Sequence, residues 1–238
     1  MKSVHIYFFS FAAILFSCNT NNNAGTLTAN EDKGIKEIIG FYGGQCEYGF
    51  QKQIGTEGNG TNFWIKFSKS ADIDSLESIA EMPGSNIAYI FYKDLDKEKT
   101  KYRQIETELV FGDGRSKKYV YDTAQLEKVK QKIQLVNKIV ALIDSKNYSD
   151  LRKSLVADTN IARYDKEQFI ASVRQIEDSA SKIKTFVPYG FRFSKIDNNR
   201  EMLHISGLIA REKNSNYFSV DLDPNSLQDE IYFLNYKL

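Results

Sequence analysis

Leu126, Val129, Ile133, Val136, Val140 and Ile143 recur at three- and four-residue steps through a stretch without glycine or proline. That spacing puts all six on one face of a long α-helix, with Asp122 or Thr123 available as its N-cap. A face of this length has to be buried against something. A shorter helical segment runs from Asn147 to Leu155, and a further helix follows, capped by Asp165, with Phe169, Ile170, Val173 and Ile176 on its apolar face. From residue 186 onward the period changes to two, giving strands over Val187 to Lys195, Glu201 to Arg211, Asn216 to Leu222 and Asp229 to Tyr236. Asp197-Asn198-Asn199, Lys213-Asn214-Ser215 and Asp223-Pro224-Asn225 supply the turns. Helices followed by an antiparallel meander make an α+β fold, with curved sheets packed on helices.

The first half has the same grammar. The spacing predicts a helix over Gly34 to Tyr42 ended by Gly43-Gly44, and strands over Cys46 to Ile54 and Asn62 to Ser68 joined by a loop at 55–60. It predicts a helix over Asp72 to Met82 stopped by Pro83-Gly84, then a strand over Asn86 to Tyr92. Ile105 to Phe111 and Lys117 to Tyr121 form a hairpin around Gly112-Asp113-Gly114. The chain therefore divides into a signal segment (1–17), a tether (18–30) and two α+β units, 31–121 and 122–238.

The element order of residues 123–238, with Lys146-Asn147-Tyr148-Ser149-Asp150-Leu151 closing its first helical part, resembles the NTF2-like cone folds, and more loosely the cystatin-like ones. That resemblance implies a curved sheet wrapped on helices around a pocket, used for small ligands, subunit pairing or structure. It carries no functional residue over, because no motif is matched.

The N-terminus is a leader: Lys2, an apolar run from Val4 to Phe16, then Leu15-Phe16-Ser17-Cys18. The run is too short for a stable membrane anchor, which needs about 20 apolar residues. Its end resembles the lipobox of bacterial lipoproteins, with a small residue before the cysteine and an aliphatic one three places before it; Phe16 is a mild departure. The resemblance implies cleavage before Cys18 and acylation of Cys18, palmitate included, so that lipid tethers the protein to a membrane. Residues 19–26 are polar and without aromatics, as a tether requires. Asn19 is not the aspartate of inner-membrane retention, and no acidic cluster follows Cys18, so the resemblance implies the periplasmic face of an outer membrane in a Bacteroidetes-type envelope.

Loss of Lys2 with the leader lowers the 32 basic residues to 31, against 31 acidic ones. A chain of zero net charge lacks the basic excess that nucleic-acid binding needs. With Cys18 acylated, Cys46 has no cysteine to pair with and is expected to be buried and inert. With His5 gone, His204 is the sole imidazole, which excludes multi-histidine metal sites and leaves one position around which an acid-base site could be built. Strand alternation puts His204 on the face opposite Leu203, Ile205 and Ile209, beside Met202, Ser206 and Leu208, where a hydrogen-bonded strand histidine is the expectation. No metal or other cofactor is expected.

Other motifs are weaker. Asp221-Leu222-Asp223-Pro224-Asn225 starts like a calcium loop, but Ser226 and Tyr232 stand where its glycine and glutamate belong, so a strand-ending turn is expected. Asp74-Ser75-Leu76, Asp122-Thr123-Ala124 and Asp178-Ser179-Ala180 resemble the O-glycosylation sequon of Bacteroidetes envelope proteins, which makes Ser75, Thr123 and Ser179 candidate glycan sites. Glu106 and Glu108 share a strand face expected to be solvated. Trp64 is expected opposite the helices, where it could join a binding patch. Together these features predict a non-enzymatic envelope lipoprotein that binds a protein partner or a small ligand. A structural or assembly role, or an enzyme centred on His204 or a carboxylate, are the alternatives.

Overall fold

Thr28 and Glu31 start the first helix. The Thr28 hydroxyl accepts from the Glu31 N–H, and the Glu31 carboxylate accepts from the Thr28 N–H, so two otherwise unpaired donors are satisfied reciprocally. The structure, a computed structural model, describes residues 26–53, 60–156, 165–196 and 199–237. The segment expected to be a leader, Cys18, most of the expected tether and the 55–59 loop lie outside the described residues. So does much of the 197–199 turn. Helix α1 spans Ala29–Tyr42, earlier than its apolar spacing predicts, and takes up the last residues assigned to the tether. Gly43, at φ 63°, ends it as expected.

Strands β1 (Gln45–Gln53) and β2 (Gly60–Ser68) pair antiparallel. Strands β3 (Gln104–Val110) and β4 (Ser116–Asp122) form the expected hairpin. Between β2 and β3 the pairing is parallel, which requires a crossover, and the order is β1-β2-β3-β4. The crossover is α3 (Glu81–Asp94), preceded by a short helix α2 (Ala71–Ser75) and a 3-10 turn at Glu77–Ile79.

Two expectations fail here. The helix expected over Asp72 to Met82 breaks after Ser75, and the strand expected over Asn86 to Tyr92 is the body of α3. Pro83 does not stop a helix but opens one, standing in the first turn, where its missing N–H would have had no intrahelical partner. Every residue from Pro83 to Tyr92 is buried. A helix apolar on all sides has no polar stripe, so its period is invisible and the run reads like a buried strand. Phe63 and Phe91 stack with ring centroids 4.0 Å apart, which fixes α3 on the inner face of the first sheet, where Ile65, Phe67, Ile105 and Leu109 are also buried.

The second half follows its pattern more closely. Helix α4 (Thr123–Asp144) begins with a capping box between Asp122 and Gln125, and its six periodic residues are all buried. Asn147 caps α5 (Tyr148–Ser154) and Asp165 caps α6 (Lys166–Ser179). Strands β5 (Ile183–Lys195), β6 (Glu201–Arg211), β7 (Ser215–Leu222) and β8 (Phe233–Lys237) form an antiparallel meander. β5 starts earlier than expected. β8 is shorter, because Ile231 bridges to Leu155 and Tyr232 N–H donates to the Asp221 carbonyl. Phe191, Leu203, Ile205, Phe218, Val220, Leu234 and Tyr236 face inward with the α4 stripe, in one apolar core that also contains α3 and the first sheet. Burying each such side chain stabilises by roughly 1.5–3 kcal/mol. The fold is α+β, with two four-stranded sheets packed on helices.

One irregularity positions the site. Strand β5 is an edge strand, and its register with β6 shifts between Pro188 and Gly190, so Tyr189 is the extra residue of a β-bulge. Pro188 is tolerated there because a bulge on an edge strand has no ladder bond to lose. The backbone at Gly190 (φ 153°) lies against the start of α3, and Phe191 N–H donates to Ser85 Oγ at 2.8 Å.

Candidate ligand-binding cleft

The alternation of β6 puts Met202, His204, Ser206 and Leu208 on the face opposite Leu203, Ile205 and Ile209, as expected. On that face Met202 and Ser206 are nonetheless buried, Met202 in a small second cluster with Val156 and Tyr232, and His204 and Leu208 are half-buried. On the same row of the outer face, His204 pairs with Arg192 on β5 and with Asp221 on β7. His204 Nδ1 lies 2.6 Å from Asp221 Oδ1. A carboxylate only accepts, so Nδ1 is the nitrogen that donates, leaving Nε2 as the ring atom available to a ligand. No hydroxyl hydrogen-bonds to His204 among the described residues, and Ser206, two residues on, is buried.

This row floors one side of a cleft of about 670 Å³, within the range of small-ligand sites. The sheet contributes Val187, Tyr189, Arg192, His204, Ser206 and Tyr217; the first half contributes Phe41, Tyr42, Asp72, Ser75, Leu76, Ile79, Met82 and Pro83. The bulge aims Tyr189 into the cleft, where its ring meets Phe41 edge-on at 6.3 Å. Ile79, Tyr189 and Tyr217 keep 52%, 38% and 40% of their surface exposed, although each is large and apolar in body. Tyr42 closes the interior end; its hydroxyl accepts from Asn86 Nδ2 at 2.9 Å, and burial pushes its pKa well up, so it stays a neutral phenol.

Of the residues singled out from sequence, only His204 and Ser75 come together here. The Ser75 hydroxyl donates to the Asp72 carbonyl at 2.7 Å, at the exposed end of α2. Thr123 is half-buried, and its hydroxyl is shared between the carbonyls of Tyr102 (3.2 Å) and Arg103 (3.0 Å). Ser179 is exposed at the end of α6. Cys46, expected to be buried, is half-buried at the margin of the core on β1, since the edge strand leaves it partly uncovered.

The remaining motifs have ordinary structural partners. Glu106 accepts from Asn62 Nδ2 at 2.9 Å, and Glu108 pairs with Lys118 at 3.2 Å, both away from the cleft. Asp223 Oδ1 accepts from the N–H groups of Asn225 and Ser226, a strand-ending turn. Trp64 is half-exposed on the outer face of the first sheet, over Gly49. Among the described residues no three His, Cys, Asp or Glu side chains converge as a metal site would need. A second groove, between α4 and residues 224–229, has its lysines engaged: Lys128 with Asn225, Lys132 with the Ser226 carbonyl, and Lys138 with Asp229.

Arg192 and the apolar wall, Leu76, Ile79, Met82, Pro83 and Tyr189, were not legible as a site. Pro188-Tyr189-Gly190 was the usable signal, since proline and glycine flanking one residue in a strand mark a bulge, and bulges re-aim side chains. Among the described residues no helix is long and apolar enough to cross a membrane. No protein-family model, curated protein or solved structure matches the chain.

Proposed function

We propose that this chain is a lipid-anchored envelope protein, non-enzymatic, whose folded part holds a small and mainly apolar ligand in the cleft between α2 and the second sheet. The observation that carries the reading is the cleft itself, where apolar walls from two distant parts of the chain converge on a short polar row, the usual make-up of a ligand site. The order of α4, α5 and α6 followed by a four-stranded meander supports an NTF2-like reading of residues 123–238. The lipobox-like end of the leader supports anchoring through Cys18, at the periplasmic face of an outer membrane. A non-enzymatic role is favoured because His204, though held by Asp221, has no nucleophile in hydrogen-bond contact among the described residues. A protein partner is the second reading, favoured by Ile79, Tyr189 and Tyr217 at the rim, half open to solvent.

Two measurements test this. Cys18→Ser should abolish processing and membrane fractionation of the full-length chain; an unchanged pattern removes the anchor. Protein purified from its native membranes should carry a small molecule, identified by mass spectrometry of solvent extracts, that is depleted in a cleft-filling Leu76→Trp variant. Identical extracts, combined with a crosslinked protein lost from the variant, would replace the ligand with a protein partner.

A further inference from the structure

We infer that the cleft selects a monocarboxylate with an apolar body, its carboxylate held by Arg192 beside His204. This deepens the ligand-binding reading and rests on it. Arg115, Arg152, Arg200 and Arg211 each pair with a carboxylate. Arg192, exposed on β5, has no carboxylate partner among the described residues, and neither has Arg174, which lies over the Tyr148 ring instead. Arg192 differs in lining the cleft, on the same row as Asp221, whose carboxylate is engaged with the intervening His204. A planar guanidinium offers a carboxylate two parallel donors, and Arg192, cross-strand from His204, lines the same cleft as the apolar wall.

Charge limits the headgroup. The cleft is lined by the cation of Arg192, by His204, whose ring is held from behind by Asp221, and by Asp72, which is exposed on the α2 side. A monoanion is neutralised by the guanidinium of Arg192. A phosphate dianion would leave one charge unpaired, with the carboxylate of Asp72 on the same lining. The body of the ligand is set by Leu76, Ile79, Met82, Pro83 and Val187, which offer no charged group and an aliphatic surface, with the rings of Phe41 and Tyr189 at one side.

Aliphatic-diazirine derivatives of octanoate, octanol and octyltrimethylammonium, photolysed with the full chain in its membranes, test the assignment. The carboxylate probe should label the peptides carrying residues 76–83 and 187–189. It should do so about tenfold more strongly than the alcohol, the scale of one charge-assisted contact. Unlabelled octanoate should compete, and vesicles of phosphatidylglycerol should not, which separates a free carboxylate from a lipid surface. Arg192→Gln should remove the preference and leave alcohol labelling unchanged, which also shows that the variant is folded; Arg192→Lys should restore part of it. Equal labelling by all three probes, or preference for the ammonium, overturns the carboxylate assignment and leaves the ligand cleft standing. Labelling of the cleft by none of them overturns both.

Discussion

The carbonyl oxygen of Met82 occupies the place a side chain on Gly190 would need, for a Cβ there would lie 2.1 Å from it. Backbone meets backbone at this point, so the bulge of β5 seats directly on the start of α3, and the Ser85–Phe191 hydrogen bond closes the joint from the other side. The same contact sets the distance between Met82 and Tyr189, two residues of the cleft wall.

Gly190→Ala is therefore expected to destabilise by about 3 kcal/mol, from a backbone region that only glycine enters readily together with a clash against a main-chain atom. Ser85→Ala, which leaves the buried N–H of Phe191 without its acceptor, should cost about 1–3 kcal/mol. Urea unfolding midpoints at unchanged slope measure both. A Gly190→Ala protein as stable as the parent would show that α3 and β5 are not held in this contact.

Arg211 and Glu177 form an ion pair with both side chains almost wholly buried, and Arg211 Nε also donates to Asn216 Oδ1 at 2.6 Å. Removing Arg211 alone, as Arg211→Met, should cost about 3–5 kcal/mol because a carboxylate is left without its cation. Arg211→Met combined with Glu177→Leu should recover most of that loss. A double variant no better than the single one would mean that the pair does not act as a unit.

Acid should weaken the start of α1. Burial pushes the Glu31 carboxyl up, but hydrogen bonds from Lys101, Tyr102 and the Thr28 N–H together outweigh it and hold the folded-state pKa below its ordinary 4.5. A depressed folded value means the contribution is fully present above the unfolded value and is lost as the pH falls through the folded one. Glu31→Gln should cost about 1–3 kcal/mol near neutral pH, with the gap to the parent narrowing on acidification. A gap independent of pH would assign the loss to packing and not to charge.

Glycosylation at the three Asp-Ser/Thr motifs should follow hydroxyl access. Ser179 is exposed, whereas the Thr123 hydroxyl is committed to two carbonyls at the start of α4. If the native protein is glycosylated at these motifs, the mass is expected on the peptides of Ser75 and Ser179, both exposed, and not on the Thr123 peptide. An intact mass equal to lipid plus polypeptide would remove the modification altogether.

Legibility followed amphipathicity. Helix α4 was readable because it has one wet and one dry face, and strand β6 because its most deeply buried apolar residues, Leu203, Ile205 and Ile209, alternate with less apolar ones, so a period of 3.6 or 2 survives in the sequence. Helix α3 was not, because it is dry on every side and its Pro83-Gly84 start looks like a stop. Of the cleft, the outward position of His204 was readable from alternation alone. Its pairing with Asp221 was not, because strand register follows from packing between residues far apart in sequence.

Local periodicity determined the order of helices and strands over most of the chain, and with it the α+β class, since side-chain direction along a helix or strand depends only on near neighbours. Only the tertiary structure decided that residues 41–83 and 187–217 share one cleft. It did so through a parallel crossover and a bulge whose free energies lie in contacts between distant segments, and such contacts leave no period in either segment.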